Sequence, residues 1–378
     1  MGARVWSVLG TIEAIVGVVL LAAVFYDLFQ SVLLPRPSVA KLRLSVLILR
    51  PFWAFWKFLG TRVARNDRRE DWLGTFGPIA VIAELASWGL GLIVGYALLF
   101  DALRDEIEPV SVNFWTSLYF SAGTLFPLSY GDIVPHGGLA ELVVVAESAT
   151  GVLLIALVVS LLFSLYGSFQ RREELVVALD ALAGAPPSGL QLLETIAKYR
   201  MWGELKTTFD QWRAWSAAVL ESHLAYPILV YFRSSHDNEA WLNSFGAVMD
   251  AAALVQSTLV TEDDTEGHAR LLLKVGNHLV EDVAWYFRLK TVKTPIVERG
   301  EYEDARERLI AAGYRCQDVE AGWESFAALR TLYASALNLL ALRMAIVPAR
   351  WIGDRSYVPH LGRPARSTAV RAGSASRN

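Results

Sequence analysis

The sequence has little cysteine, little charge and almost no surplus of either sign. Cys316 is the single cysteine among 378 residues, so no disulfide can form within the chain and a disulfide-stapled scaffold is excluded. Charged residues make up 19% of the chain, against about 25% in soluble proteins. The 35 basic and 38 acidic residues leave a net charge of −3, which gives no electrostatic support for binding nucleic acid. No catalytic dyad, metal-ligand set or phosphate-binding glycine loop is visible, so an enzyme, a cofactor and a resident metal are not expected. His278 and Asp282 fall on one helix face, but two groups do not make a metal site. What is abundant is apolar surface. Hydrophobic residues reach 54%, above the about 45–50% of soluble chains, which excludes a disordered chain and points to a membrane.

The apolar excess lies in the first half, in runs at 6–34, 76–100 and 139–167. Each exceeds the about 20 residues needed to cross a bilayer. The first run has no basic leader and no A-x-A-like cleavage site before Asp27, so it reads as a retained helix rather than a signal peptide. Segment 36–71 carries nine basic residues, Arg36, Lys41, Arg43, Arg50, Lys57, Arg62, Arg65, Arg68 and Arg69, against Asp67, Glu70 and Asp71. The positive-inside rule places it in the cytoplasm. Segment 101–138 carries Asp101, Asp105, Glu106, Glu108 and Asp132 against Arg104 alone and belongs outside. Arg171 and Arg172 follow the third run and belong inside. The expectation is a multi-pass protein of the cell (inner) membrane, with the N-terminus outside and a cytoplasmic C-terminal domain. Residues 44–60 hold Phe52, Trp53, Phe55, Trp56 and Phe58 beside Arg50, Pro51 and Lys57. That mixture fits an interfacial helix; a fourth span, which would move the N-terminus inside, is the alternative.

Between the second and third runs, residues 113–124 read NFWTSLYFSAGT and 125–135 read LFPLSYGDIVP. A helix too short to cross, followed by an irregular stretch between two spans, has the form of a re-entrant loop. Irregular backbone at membrane depth is tolerated only where protein buries it or a water-filled cavity borders it. Spans two and three with this loop resemble the pore module of potassium channels, over roughly 76–170. In that family the pore helix ends in a threonine-rich stretch and Thr-Val-Gly-Tyr-Gly-Asp. Here the matching residues run from Thr124 through Tyr130-Gly131-Asp132 to Pro135, and Glu147 and Gly151 look like the start of the family's inner helix. The resemblance implies a homo-oligomer, a tetramer, in which four loops replace the hydration shell of K⁺ or another monovalent cation with backbone carbonyls. The pore helix would aim its partially negative C-terminal end at the cavity. Asp132 and the other outer acids would raise the local cation concentration, although for Asp101, Asp105, Glu106 and Glu108 a solvated loop is an equal reading.

The window departs from its family. Residues 127–131 read PLSYG where the family has TVGYG. Pro127 removes both the threonine hydroxyl and a backbone N–H. Leu128 for valine keeps an apolar side chain. Ser129 stands for glycine, and a left-handed backbone there would cost roughly 1–2 kcal/mol per chain. Tyr130, Gly131 and Asp132 are intact. These changes put selectivity in question more than the pore itself. Five charged residues lie in the spans, Glu13, Asp27, Glu84, Glu141 and Glu147. Asp27 reads as cytoplasmic-interface, Glu141 as outer-interface, and Glu84 lies well inside span two. Glu147 is expected to support the filter from behind through a hydrogen bond, and Gly151 is a candidate gating hinge.

From residue 170 onward the pattern is helical and soluble. Candidate helices cover 190–199, 204–224, 238–259, 264–289, 298–312 and 317–346, with a break at 183–189. Gly313 reads as a C-cap, and 261–264 as N-cap candidates. Trp212, Trp215, Trp285 and Trp323 are expected to pack a core. No Rossmann turn, run of strands or spaced-arginine voltage sensor is present. The expected fold is therefore an all-α membrane protein. Its parts are a first transmembrane helix (1–35), a basic linker with an interfacial helix (36–75), a pore module (76–170), a helical cytoplasmic domain (171–347) and a disordered basic tail (348–378). The expected function is passive cation conduction. The alternative is a membrane-anchored sensor or scaffold whose pore module does not conduct.

Overall fold

Two apolar helices meet through glycine. Helix α1 (Gly2–Leu28), which closes in a π-helical turn (Phe29–Leu33), runs antiparallel to α4 (Phe76–Ala102). Gly10 faces Ala102 at one end, and Asp27 meets Trp88 at the other. A β-carbon on Gly17 would sit 2.8 Å from the Gly95 carbonyl oxygen, and one on Gly91 would sit 2.7 Å from a Val24 methyl. In lipid no hydrophobic drive joins two helices, so close backbone approach through small residues does the work. The structure is a computed structural model, and it describes residues 2–34, 44–62, 69–110, 113–128, 130–234 and 240–348. The tail expected to be disordered lies almost wholly outside the described residues.

Among the described residues three segments are long and apolar enough to cross a membrane: Val8–Val32, Arg69–Ala102 and Gly138–Ala183. The chain is thus a multi-pass membrane protein. Helix α2 (Leu44–Arg62), with Pro51 inside it, is not among the three. Trp53 on one side of α2 packs against Phe76 at 4.8 Å between ring centroids, while Phe55 and Phe58 are exposed. A short helix α3 (Arg69–Gly74) leads into α4. The bent pair α12 (Val319–Thr331) and α13 (Ala334–Arg343) is, taken together, also long and apolar enough. Its apolar side chains, Phe326, Leu340 and Ala341 among them, belong to the core of the C-terminal helical body.

Helix α5 (Phe114–Leu125) is about 18 Å long, too short to cross. It lies between α4 and α6 (Gly138–Ala183). Helix α6 has 46 residues and so spans roughly 69 Å, more than twice the about 30 Å of a hydrocarbon core. Its far end enters the C-terminal body and stops at Gly184, whose φ is +76°.

That body contains α7 (Gly189–Tyr199), α8 (Glu204–Ala225), α9 (Trp241–Ser257), α10 (Thr265–Phe287), α11 (Arg299–Ala311), α12 and α13. Helix α9 is its centre, with fourteen of its seventeen residues buried. Gly313 closes α11 at φ +101°, with Tyr314 N bonded to Leu309 O. Three details differ from expectation, whereas the cap of α10 falls within the expected 261–264. The run at 317–346 is two helices, because Arg330 and Tyr333 both turn toward the buried carboxylate of Asp250. At the start of α10 the carboxylate that caps is Asp263, which accepts from Thr265 N at 3.0 Å; Asp264 caps nothing. Trp212 and Trp215 are core, but Trp285 is 64% exposed on the outer face of α10. A 3-10 turn (Pro227–Tyr231), unforeseen in the sequence, joins this body to the membrane helices.

Candidate functional site

Asn113 starts α5 by accepting a hydrogen bond from Thr116 N at 3.2 Å. Ser117, Ser121 and Leu125 then recur every four residues and form the buried face of the helix. Each meets a partner behind it. Ser117 donates to Asp101 Oδ1 at 3.0 Å. The Ser121 hydroxyl lies 2.9 Å from the Ile93 carbonyl and 2.5 Å from Glu147 Oε1. The Leu125 carbonyl presses against Gly151, where a β-carbon would collide with it. The back of α5 is therefore fixed to α4 and α6 at three levels. Glu147 is fully buried there. Its bond reaches α5 itself rather than the loop that follows.

Thr124 bonds back to the Phe120 carbonyl of its own helix at 2.9 Å. Beyond α5 the Leu128 amide donates to Gly123 O at 2.8 Å, so the chain reverses tightly. Pro127, Leu128, Tyr130, Gly131 and Asp132 are exposed in the single chain. Ser129 lies outside the described residues. Gly131 has φ +74°, a conformation that favours glycine. Tyr130 lies parallel to Tyr119, with centroids 6.5 Å apart, and the Tyr119 hydroxyl donates to Asp132 Oδ2 at 3.0 Å.

The far end of the segment is tied down by a feature the sequence did not announce. Strand β2 (Val134–Pro135) pairs antiparallel with β1 (Ile107–Glu108). Ile133 is buried, His136 N donates to Glu106 O at 2.8 Å, and His136 Nε2 meets Glu108 Oε2 at 2.6 Å. The outer acids therefore divide. Asp101 is 5% exposed and bonded to Ser117 and Arg104, so it is neither a mouth charge nor a solvated one. Arg104 also reaches Glu13 of α1 at 3.5 Å. Glu106 accepts from Ala140 N at 3.0 Å in the first turn of α6, where the helix dipole favours an anion. Asp105, Glu108 and Asp132 stay exposed. Asp27 also departs from its expected interfacial place: it is 1% exposed and accepts from Trp88 Nε1 at 2.8 Å. The repeat of serines at 117 and 121 on an apolar helix was the available signal for the polar seam.

A second constellation holds the other end of α6. Arg172 is buried, and its Nε donates to Glu173 Oε1 at 2.9 Å. Nη1 donates to Leu229 O at 3.0 Å and Nη2 to Phe232 O at 2.8 Å. Its guanidinium lies over Trp241, and its carbonyl accepts from Trp215 Nε1 at 2.9 Å. Burial first, and the Arg172 cation second, pull His223 down to about 3. The same 3-10 turn grips α4 and α2: Tyr231 packs on Phe76 and Trp53, and Phe232 fills the space beside Gly77. Helix α6, helix α4 and the helical body thus share one knot. Among the described residues no group of three or more His, Cys, Asp or Glu could hold a metal ion.

Comparison with known proteins fits this geometry. Residues 86–167, which run from within α4 through α5 into α6, match a family described as "Ion channel". Over that segment the chain is similar to that family. The uncharacterized membrane protein YdjJ of Bacillus subtilis (strain 168) is 24% identical over 207 residues, covering 53% of this chain and 58% of the relative. The chain thus spans less than two thirds of that relative's length. No solved structure matches.

Proposed function

We propose that residues 76–170 are one quarter of a cation pore, in which α5 is a re-entrant pore helix and 127–131 the filter strand. The carrying observation is the arrangement of one short helix and one exposed loop. The back of α5 is bonded to α4 and α6, while Leu128, Tyr130 and Gly131 face away from their own chain. A loop tethered at both ends, with its apolar residues uncovered, suits a site completed by identical neighbours. Four copies about an axis would place four Leu128 to Gly131 backbones in rings and let carbonyls replace the water around K⁺ or another monovalent cation. The C-terminal end of α5 would aim its partial negative charge at the ion. Glu147, Ser121 and Gly151 would set the position of α5, and Asp132, held by Tyr119, would sit at the outer mouth. The N-terminus and the mouth would lie outside and the helical body in the cytoplasm, following the charge asymmetry of the loops.

Pro127 and Ser129 weaken the innermost sites, so K⁺ would pass with little preference over Na⁺. The same two residues favour a second reading. A pore module that only assembles a membrane-anchored sensor would not need an intact inner filter. Purified protein in liposomes separates the readings. Conduction predicts K⁺ flux with measurable Na⁺ flux; flux of neither ion would refute the channel and leave the scaffold. Crosslinking in the membrane should stop at four copies, and a dimer as the largest product would refute the fourfold assembly.

A further inference from the structure

Helix α10 ends at the level of a membrane surface. Helix α4 stops among the charged residues Arg104, Asp105 and Glu106, which mark one water edge of its span. From Ala102 back to Glu84 is about 27 Å, and back to Phe76 about 39 Å. A hydrocarbon core is about 30 Å thick, and headgroups bring the bilayer to about 40–45 Å. The far headgroup layer therefore lies between Glu84 and Phe76. Two contacts put the end of α10 at that depth. Tyr286 shares a narrow crevice with Glu84. Arg343 lies over Phe287 and donates to its carbonyl at 3.4 Å, while its own carbonyl accepts from Trp53, which packs on Phe76.

The surface exposed there combines apolar side chains with cations. Trp285 is 64% exposed and Val292 54%. Residues 283–297 hold Arg288, Lys290 and Lys293 and no acid, in a chain whose net charge is −3. All three cations are exposed, and among the described residues none of them forms an ion pair. Glu281 and Asp282 lie about a turn back along α10, and Asp282 already meets His278 at 3.4 Å. We propose that the end of α10 and the loop after it dock on anionic phospholipid headgroups of the leaflet nearest the helical body. Trp285 suits that boundary, with its ring toward hydrocarbon and its N–H toward water. The three cations meet phosphates. A neutral leaflet would accept Trp285 but leave the cations without partners. The helical body would then be held by lipid as well as by α6, and leaflet charge would bias its position. The proposal rests on α4 crossing the membrane and not on whether the pore conducts.

The test uses the full chain in phosphatidylcholine vesicles with and without phosphatidylglycerol. Cys316→Ser removes the single native thiol, and Val292→Cys then carries a nitroxide, which leaves Trp285 and the cations in place. Collision with a neutral nickel chelate reads exposure to water. Adding phosphatidylglycerol should lower the collision rate at 292 about fivefold or more, the scale of one cation held near an anionic surface. The same label at Ile310, 46% exposed on α11, should not respond. Lys290→Gln with Lys293→Gln should abolish the fall, and Trp285→Ser should weaken it. Lys274→Gln, about three turns back along α10, removes the same charge and should leave the fall intact. A fall of less than about twofold, or one that survives the double lysine change, would overturn the proposal. So would low collision rates at 292 in phosphatidylcholine alone, which would assign this surface to a second copy of the chain.

Discussion

Replacing Arg172 by methionine tests whether the helical body is locked to α6. The change keeps the aliphatic stem and removes the guanidinium. It leaves the Leu229 and Phe232 carbonyls without their donors at 3.0 and 2.8 Å, and Glu173, 8% exposed, without its cation. Removing one partner of a buried ion pair costs about 3–5 kcal/mol. At 1.4 kcal/mol per factor of ten, the knot should open a hundredfold to a few thousandfold more often. Hydrogen exchange on the full chain in detergent reads this directly: the amides of 226–232 should speed up by that factor, while those of α11 should not change. Arg172→Met with Glu173→Gln should be milder than the single change, because the orphan charge is gone. The pH dependence carries a sign. His223 has a folded value of about 3 against an ordinary 6.5. The unfolded chain therefore binds the proton first, so stability is full above pH 6.5 and is lost as pH falls toward 3. Burial is the larger cause and survives the substitution, whereas the Arg172 contribution does not. The acid slope should become shallower but not vanish. Exchange at 226–232 raised by less than about fivefold, with an unchanged acid slope, would refute the lock.

Other outcomes follow from the same contacts. Gly151→Ala should destabilise by about 1–3 kcal/mol, because the new methyl meets the Leu125 carbonyl; thermal unfolding and liposome flux should both fall. Gly167→Ala, with open space around it, should instead stabilise α6 by about 0.5–1 kcal/mol on the same melting curve. Ser121→Ala strips the buried Glu147 of its donor and should cost about 1–3 kcal/mol, read as a lower melting temperature with an unchanged helical signal. Pro127→Thr with Ser129→Gly should raise the K⁺ over Na⁺ flux ratio; an unchanged ratio would show that these positions do not set it.

The parts legible in the sequence share one property: their signal is local and periodic. The three spans are long apolar runs, and some boundaries in the C-terminal body carry a glycine, a proline or a capping acid, as at Gly313, Pro227 and Asp318. Where structure depends on a distant partner, reading failed. The chain between Thr331 and Ala334 has neither glycine nor proline, yet it breaks there because Asp250, 80 residues away, takes both Arg330 and Tyr333. Asp27 looked like an interfacial acid until Trp88 supplied a donor, and Asp101 looked like a mouth charge until Ser117 did. The β1–β2 pair is two residues on each side, too short to leave a period. Trp285 fits a helical stripe but lies on the side that no neighbour covers.

The glycines of α6 bear on where that helix can yield. It is continuous from Gly138 to Ala183, with no proline, and both ends are held by buried polar contacts. Glu147 and Gly151 sit behind α5; Arg172, about 31 Å further along, sits in the helical body. The missing side chain at Gly151 is already used, because the Leu125 carbonyl occupies that space. A bend there would pull the helix off α5 and break the seam that positions it. Gly167 has nothing within 4 Å of its would-be β-carbon and lies between the two held ends. A force applied through Arg172 would therefore meet less resistance at Gly167 than at Gly151, and the seam behind α5 would stay intact while the lower part of α6 moved.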